Sequence, residues 1–238
     1  MYVYPGFDDR GMLVGVHLRN MVVTGPTKEV KRCLLHMASC AVSANRGCNQ
    51  SVYYVTDEEE VKNLFNGNVI FKKYKSLKSL FEKVLYDWYD RDVVVAGMNP
   101  IVIIIDDYKS FFSAENKELY KMWMDITLHG EESMNVYVIT GVATDCIDNV
   151  EETVFLVEQA HAKIVIKGSV DVFTESWVEE KARELSFISL DSDYKYITTF
   201  VPAWDEPLFV LPGFKENTTG NSLSSALDKL VGGVRCPP

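Results

Sequence analysis

Two stretches of the 238-residue chain carry charged side chains at spacings that suit phosphate chemistry. In "VVTGPTKEVKR" an apolar segment ends at Gly25, and Lys31 follows six positions later. Phosphate-cradling loops of the form G-x-x-x-x-G-K-[ST] give each position a task. The second glycine lets the backbone wrap an anion with successive N–H groups, the lysine neutralises charge, and the hydroxyl ligates Mg²⁺. Aligned to this pattern, Gly25 takes the first position, Val30 the second glycine, Lys31 the lysine and Arg32 the hydroxyl. The frame and the lysine are kept, but a β-branched valine and a bulky cation oppose the anion and the metal. In "IVIIIDD" an apolar run ends in Asp106 and Asp107, 75 positions beyond Lys31. The first carboxylate suits Mg²⁺ held through water, and the second suits polarisation of an attacking water. "VYVITGVATD" places Thr140 at the tip of a third apolar run, where a polar sensor would sit.

Positioning such groups requires strands that end at one edge, and the chain alternates strand-like runs with helical patterns. "MLVGVHLRNMVVTG" reads as one or two strands, followed by "KEVKRCLLHMASCAVSA" with Val30, Cys33, Leu34, Met37 and Val42 on one helical face. "SVYYVTD" predicts a strand and "TDEEEVKNLF" a helix started by acids. "LKSLFEKVLYDWYDRD" predicts a long helix whose apolar stripe is core. "PIVIIIDDY" lacks alternation, as expected of a strand buried on both faces of a parallel sheet. A helix around "SAENKELYKMWMDITLHG", strands at "NVYVITG" and "AKIVIKG" with the helix "DNVEETVFLVEQA" between them, and a late strand "KYITTFVPAW" complete the series. The prediction is an α/β fold with a largely parallel central sheet and helices on both faces. One domain is expected over residues 1–212, with a partly mobile polar tail over 213–238. The strand-like start and the Gly/Pro-rich end are consistent with a piece of a longer polypeptide.

The formal net charge of −10 works against broad nucleic-acid binding, because phosphates are repelled unless a dense basic patch offsets it. The densest basic cluster, Lys72, Lys73, Lys75 and Lys78, is flanked by acids and reads as a solvated face. Five cysteines, an odd number with no C-x-x-C pair and no secretory leader, are expected as reduced thiols in a cytosolic setting. "IVIII" is far too short to span a bilayer, so no direct membrane insertion by this segment is expected. Cys33, His36 and Cys40 share one side of a helix without an evident fourth ligand, so no metal site is expected. His17, His129 and His161 lack a nucleophile motif beside them. Asp90–Asp92 and Asp191–Asp193 read as turn chemistry, and Trp88, Trp123, Trp177 and Trp204 as core.

In order, "VVTGPTKEVKR", "SVYYVTD", "LFEKVLYDWYDRD", "PIVIIIDDY" and "NVYVITGVA" resemble an FtsK/SpoIIIE-type P-loop ATPase domain over roughly residues 10–170. The ordered set looks most like the last, degenerate ATPase module of the EssC/EccC coupling proteins of type VII secretion. The resemblance implies a RecA-like core, with Gly25, Lys31, Asp106, Asp107 and Thr140 at nucleotide-site positions. Val30 and Arg32 depart from the family pattern, so those residues are expected to be vestigial and the module not to be catalytic. No cofactor is then expected; ATP with Mg²⁺ would have to bind without the usual hydroxyl, or Arg32 would instead fill the cation's place and give weak Mg²⁺-independent nucleotide binding. The implied function is recognition of export substrates of the WXG type, or regulation of neighbouring ATPase domains of the same chain. A homo-oligomer and a cytoplasmic location at the end of a bacterial membrane protein go with it. The competing expectation is a weakly active ATPase powering translocation of protein, and less readily of DNA.

Overall fold

A computed structural model describes residues 2–7, 13–43, 51–64, 69–89, 100–106, 116–143, 160–166, 187–191, 196–199 and 201–202. Asp107, residues 148–159 of the expected helix and the tail over 213–238 lie outside the described residues.

The described strands are β1 (Tyr2–Phe7), β2 (Leu13–His17), β3 (Met21–Gly25), β4 (Ser51–Val55), β5 (Ile70–Lys72) and β6 (Ile101–Ile105). They continue as β7 (Val136–Ala143), β8 (Ala162–Ile166), β9 (Phe187–Asp191), β10 (Tyr196–Thr199) and β11 (Val201–Pro202). The helices are α1 (Thr27–Ser43), α2 (Leu77–Tyr89) and α3 (Lys117–His129). Eight strands form one sheet in the order β10-β9-β8-β3-β7-β6-β4-β5, and β11-β1-β2 form a small antiparallel sheet. From β8 to β5 all six strands are parallel, whereas β9 and β10 join antiparallel at the far edge.

Burial explains the arrangement. Every residue of β3 is buried, as are the last four of β6, so both strands must be covered on two faces. On one face α1 contributes Val30, Cys33, Leu34, Leu35 and Met37 to a core with Met21, Val23, Tyr54, Ile104 and Ile139. On the other, α2 and α3 bury Leu77, Phe81, Trp123 and Ile126 against Val22, Ile103, Ile105 and Val138. Chain direction accounts for the split. The β3–α1–β4 connection runs one way along the sheet, while β5–α2–β6 and β6–α3–β7 run back. Right-handed crossovers then place α1 on one face and α2 with α3 on the other.

Three details depart from the sequence expectation. The acid-started helix after β4 is, over its described part, only a 3₁₀ turn at Val61–Leu64. The Thr56 hydroxyl accepts the Glu58 backbone N–H at 3.1 Å, a local bond that competes with helix, and the carboxylates of 57–59 find partners elsewhere. The late strand divides into β10 and β11, which serve different sheets. An additional strand, β9, pairs with β8. Within the lysine cluster Lys73, Lys75 and Lys78 are exposed and Lys72 is half-buried; Lys73 pairs with Glu59, and Lys78 with Glu118 and Glu82. Among the described residues no helix is long and apolar enough to cross a membrane.

Candidate functional site

Parallel sheets bind ligands beyond the carboxyl ends of their strands, where neighbouring connections leave toward opposite faces. That edge carries Gly25 at the end of β3, Thr56 to Glu58 after β4, Tyr74 after β5 and Asp106 after β6.

The aligned phosphate-loop residues are wound into helix. Helix α1 begins at Thr27, two residues after Gly25, and the Val30 N–H donates to the Pro26 carbonyl at 3.0 Å. Residues 27–32 therefore have helical backbone rather than a loop wrapped around an anion. Helical geometry follows from the residues present, since Lys28, Glu29 and Val30 lack the positive-φ freedom that glycine gives a cradle. Val30 is 1% exposed and faces β7. A Cβ built on Gly141 would lie 3.0 Å from Val30 Cγ1 and 2.6 Å from Leu34 Cδ1, so glycine at 141 is what lets α1 settle so close. Gly25 is likewise demanded by packing. Its φ is +155°, and a Cβ there would lie 2.5 Å from Cβ of Ile166.

Lys31 is buried and its Nζ forms an ion pair with Glu58 Oε1. Asp106 lies in the same field. Its Oδ1 accepts a hydrogen bond from the Tyr74 hydroxyl, while Oδ2 is sealed from solvent without a hydrogen-bond partner among the described residues. Loss of hydration pushes the Asp106 carboxyl up to about 6. The Lys31 charge and the Tyr74 and Thr56 hydroxyls pull it back, and the Glu58 carboxylate adds repulsion. Tyr54, fully buried beneath this group, has its hydroxyl pushed well above the ordinary tyrosine range. Burial is the main cause, followed by the Asp106 and Glu58 carboxylates and Cys33. Beside Glu58, a cleft of about 220 Å³ opens between the segment that follows β4 and strand β5, with Phe71 and Val69 among its apolar walls and Lys62, Lys72 and Lys73 among its polar ones.

Thr140 is elsewhere. It is buried with Val138 and Val142 on the α2–α3 side of the sheet, and its hydroxyl accepts the Trp123 indole N–H at 3.3 Å. Arg32 is half-buried, one residue past Lys31 on α1. The fold thus brings Lys31 and Asp106 together and leaves Thr140 on the opposite face. Sequence reasoning missed Glu58, Tyr74 and Tyr54. Glu58 carried no usable signal, because it lies among the acids of "TDEEE", which also read as the start of a helix. Cys33 and His36 are buried on α1, and among the described residues no group of three potential ligands could hold a metal ion.

No family model matches the chain, and no curated protein matches it. Solved structures do. Thermomonospora curvata EccC (ATPases 2 and 3, in complex with a signal sequence peptide) superposes with a TM-score of 0.57 at 12% identity, over 72% of this chain and 34% of that one. EssC (ATPases 2 and 3) from Geobacillus thermodenitrificans gives 0.53 at 10% identity, over 99% of this chain and 50% of that one. The genome packaging NTPase B204 from Sulfolobus turreted icosahedral virus 2, in complex with AMP, gives 0.52 at 15% identity, over 77% and 97%. The chain therefore has the RecA-like α/β fold of P-loop ATPases, and it spans about a third of the EccC chain and half of the EssC chain. At these identities the likeness is one of fold.

Proposed function

We propose that the chain is a catalytically degenerate ATPase module of a type VII secretion coupling protein, and that it recognises export substrates or regulates ATPase domains beside it. One observation carries the degenerate half of this reading: residues 27–32 are helical and Lys31 is already paired with Glu58. A polyphosphate needs inward N–H groups and an available lysine, and ATP hydrolysis needs Mg²⁺ held by a hydroxyl where this chain has Arg32. Gly25, Lys31 and Asp106 are then vestiges of a site whose scaffold outlived its chemistry. Support for the secretion half is the fold shared with EccC and EssC, and the EccC structure holds a signal sequence peptide. An amphipathic export signal docked in a groove suits a module of this size, on the cytoplasmic side of a membrane-anchored chain or as a homo-oligomer. Titration of the chain with the C-terminal segment of a WXG-type substrate tests this. Saturable binding is the expected result, and its absence from both monomer and multimer removes the recognition role.

A second reading, a weakly active nucleotide-binding domain that powers translocation, is favoured by the closeness of Lys31 and Asp106. The Lys31 charge opposes the burial that raises the Asp106 pKa, as it would with the two flanking a bound phosphate and metal. Calorimetry with ATP and Mg²⁺ separates the readings: micromolar affinity abolished by Lys31→Ala selects the second.

A further inference from the structure

An ammonium buried as deeply as that of Lys31, whose side chain is 7% exposed, must face an anion, because an unpaired charge there costs several kcal/mol, roughly. The anion in this fold is the chain's own. We infer that Glu58 is an internal stand-in for phosphate: its carboxylate holds Lys31 and competes with any polyphosphate for that lysine. This rests on the reading of the site as a degenerate phosphate loop, and adds the residue that closes it.

Four features support a competitor rather than a structural ion pair. Glu58 reaches Lys31 through one oxygen, and Oε2 is sealed without a hydrogen-bond partner among the described residues. An ion pair built for stability would satisfy both oxygens, so this carboxylate is held less firmly than its burial would allow. Next, Glu58 sits on a short irregular segment after β4, fixed by the bond from its own N–H to the Thr56 hydroxyl. Its side chain can therefore move without disturbing a strand or helix. Third, the cleft beside it is open, and Lys62 and Lys72 on its wall offer the displaced carboxylate new cations. Finally, Asp106 adds repulsion at the same point, since its own pKa is raised in part by Glu58. Two carboxylates facing one ammonium leave the resting site with more negative charge than Lys31 can neutralise.

The ligand class is a polyphosphate chain, whether free or carried by a nucleotide. Calorimetric titration of the full chain with inorganic pyrophosphate and, separately, with ATP, both without Mg²⁺, tests the inference on Glu58→Gln and on Glu58→Gln combined with Lys31→Met. Expected is a gain in affinity of about tenfold or more for both ligands in E58Q, removed by adding K31M. An E58Q protein that binds no better than the parent overturns the competitor role, and so does a gain that survives K31M. A gain for ATP without one for pyrophosphate also overturns it, because recognition would then lie outside the phosphate chain. Glu58→Asp, which withdraws the carboxylate by one methylene, keeps the test open if E58Q does not fold; a gain is again expected, and none overturns the inference. A parent chain that already binds and turns over Mg·ATP instead overturns the degenerate reading, so the two failures are distinguishable.

Discussion

The two ends of the central sheet treat buried polar groups in opposite ways. At the amino end, Asn20 just before β3 is fully buried and ties four elements together. Its Nδ2 donates to the Thr127 carbonyl of α3 at 2.6 Å, and its Oδ1 accepts the Val138 N–H of β7 at 2.7 Å. Its backbone N–H donates to Glu131, and its carbonyl accepts the N–H groups of His161 and Ala162 at 2.9 and 3.2 Å. Glu131 reaches this knot from the π-helical turn Gly130–Met134, and its Oε1 also meets His161 Nδ1 at 3.1 Å. At the carboxyl end, by contrast, sealed oxygens on Asp106 and Glu58 have no hydrogen-bond partner among the described residues, and one lysine faces two carboxylates. Asn20 has its backbone and side-chain groups engaged, although the Thr127 hydroxyl beside it has no hydrogen-bond partner among the described residues, whereas at the carboxyl end the unmatched groups are carboxylates.

Breaking the amino-end knot should have the largest effect. Asn20→Ala leaves the Thr127 carbonyl and the Val138 N–H buried without their partner, and should cost on the order of 2–5 kcal/mol in a urea denaturation experiment. A loss under about 1 kcal/mol would mean that water or neighbouring groups repair the gap, and the contrast between the ends would fail.

The carboxyl end should respond through pH. Asp106 has a folded pKa of about 6, above its ordinary 3.8, so the folded state holds the proton more tightly. The associated stability is fully present below about pH 4 and lost as pH rises through 6. Asp106→Asn removes that dependence, and relative to the parent it should gain about 3 kcal/mol between pH 4 and pH 8. An equal difference at both pH values would show that the carboxyl end carries no unmatched charge.

His36, further along α1 and away from this edge, should act in the opposite sense. Burial lowers its pKa to about 4 from 6.5, so its contribution is present above 6.5 and lost as pH falls through 4. Replacing His36 with Leu should flatten that acid-side loss, about 3 kcal/mol across the window. Since the two slopes oppose each other between pH 4 and 6, the parent's profile there should be flatter than that of either variant. Thermal unfolding across pH measures all three. The smallest effect belongs to the exposed Lys73–Glu59 pair, where Glu59→Ala should leave the denaturation midpoint unchanged in 0.15 M salt.

Much of the frame was legible because burial writes itself into composition. The unalternating "IVIII" became β6 between β4 and β7, and the stripe of Leu77, Leu80, Phe81 and Val84 became the buried face of α2. Pattern is weaker at the sheet margins. β9 pairs with β8 on one side and with β10 on the other, and its short run lacked the long apolar signal of a central strand. Lys31 and Asp106 were visible from spacing alone, but Glu58 was not. Acids at the start of a helix and acids beyond the end of a strand look alike in sequence, and only the fold shows that Glu58 of "TDEEE" turns toward α1. Thr140 was misjudged by the pleat: one residue along β7 separates the α1 side, where Gly141 lies, from the α3 side, where Trp123 takes the hydroxyl.

The helical start of α1 also bears on history. Rebuilding an anion cradle would require glycine-like freedom at several consecutive positions, yet Val30 now fills space against β7 where Gly141 gives way to it. Reverting Val30 alone would hollow the core without unwinding the helix, and relaxing Lys28 or Glu29 alone would weaken the helix without emptying the lysine's embrace. Each single step back is a loss, and the benefit arrives only when all are taken together. If α1 descends from a phosphate loop, as proposed above, the wound loop works as a ratchet that leaves the scaffold free to take new partners while the way back to the old chemistry stays shut.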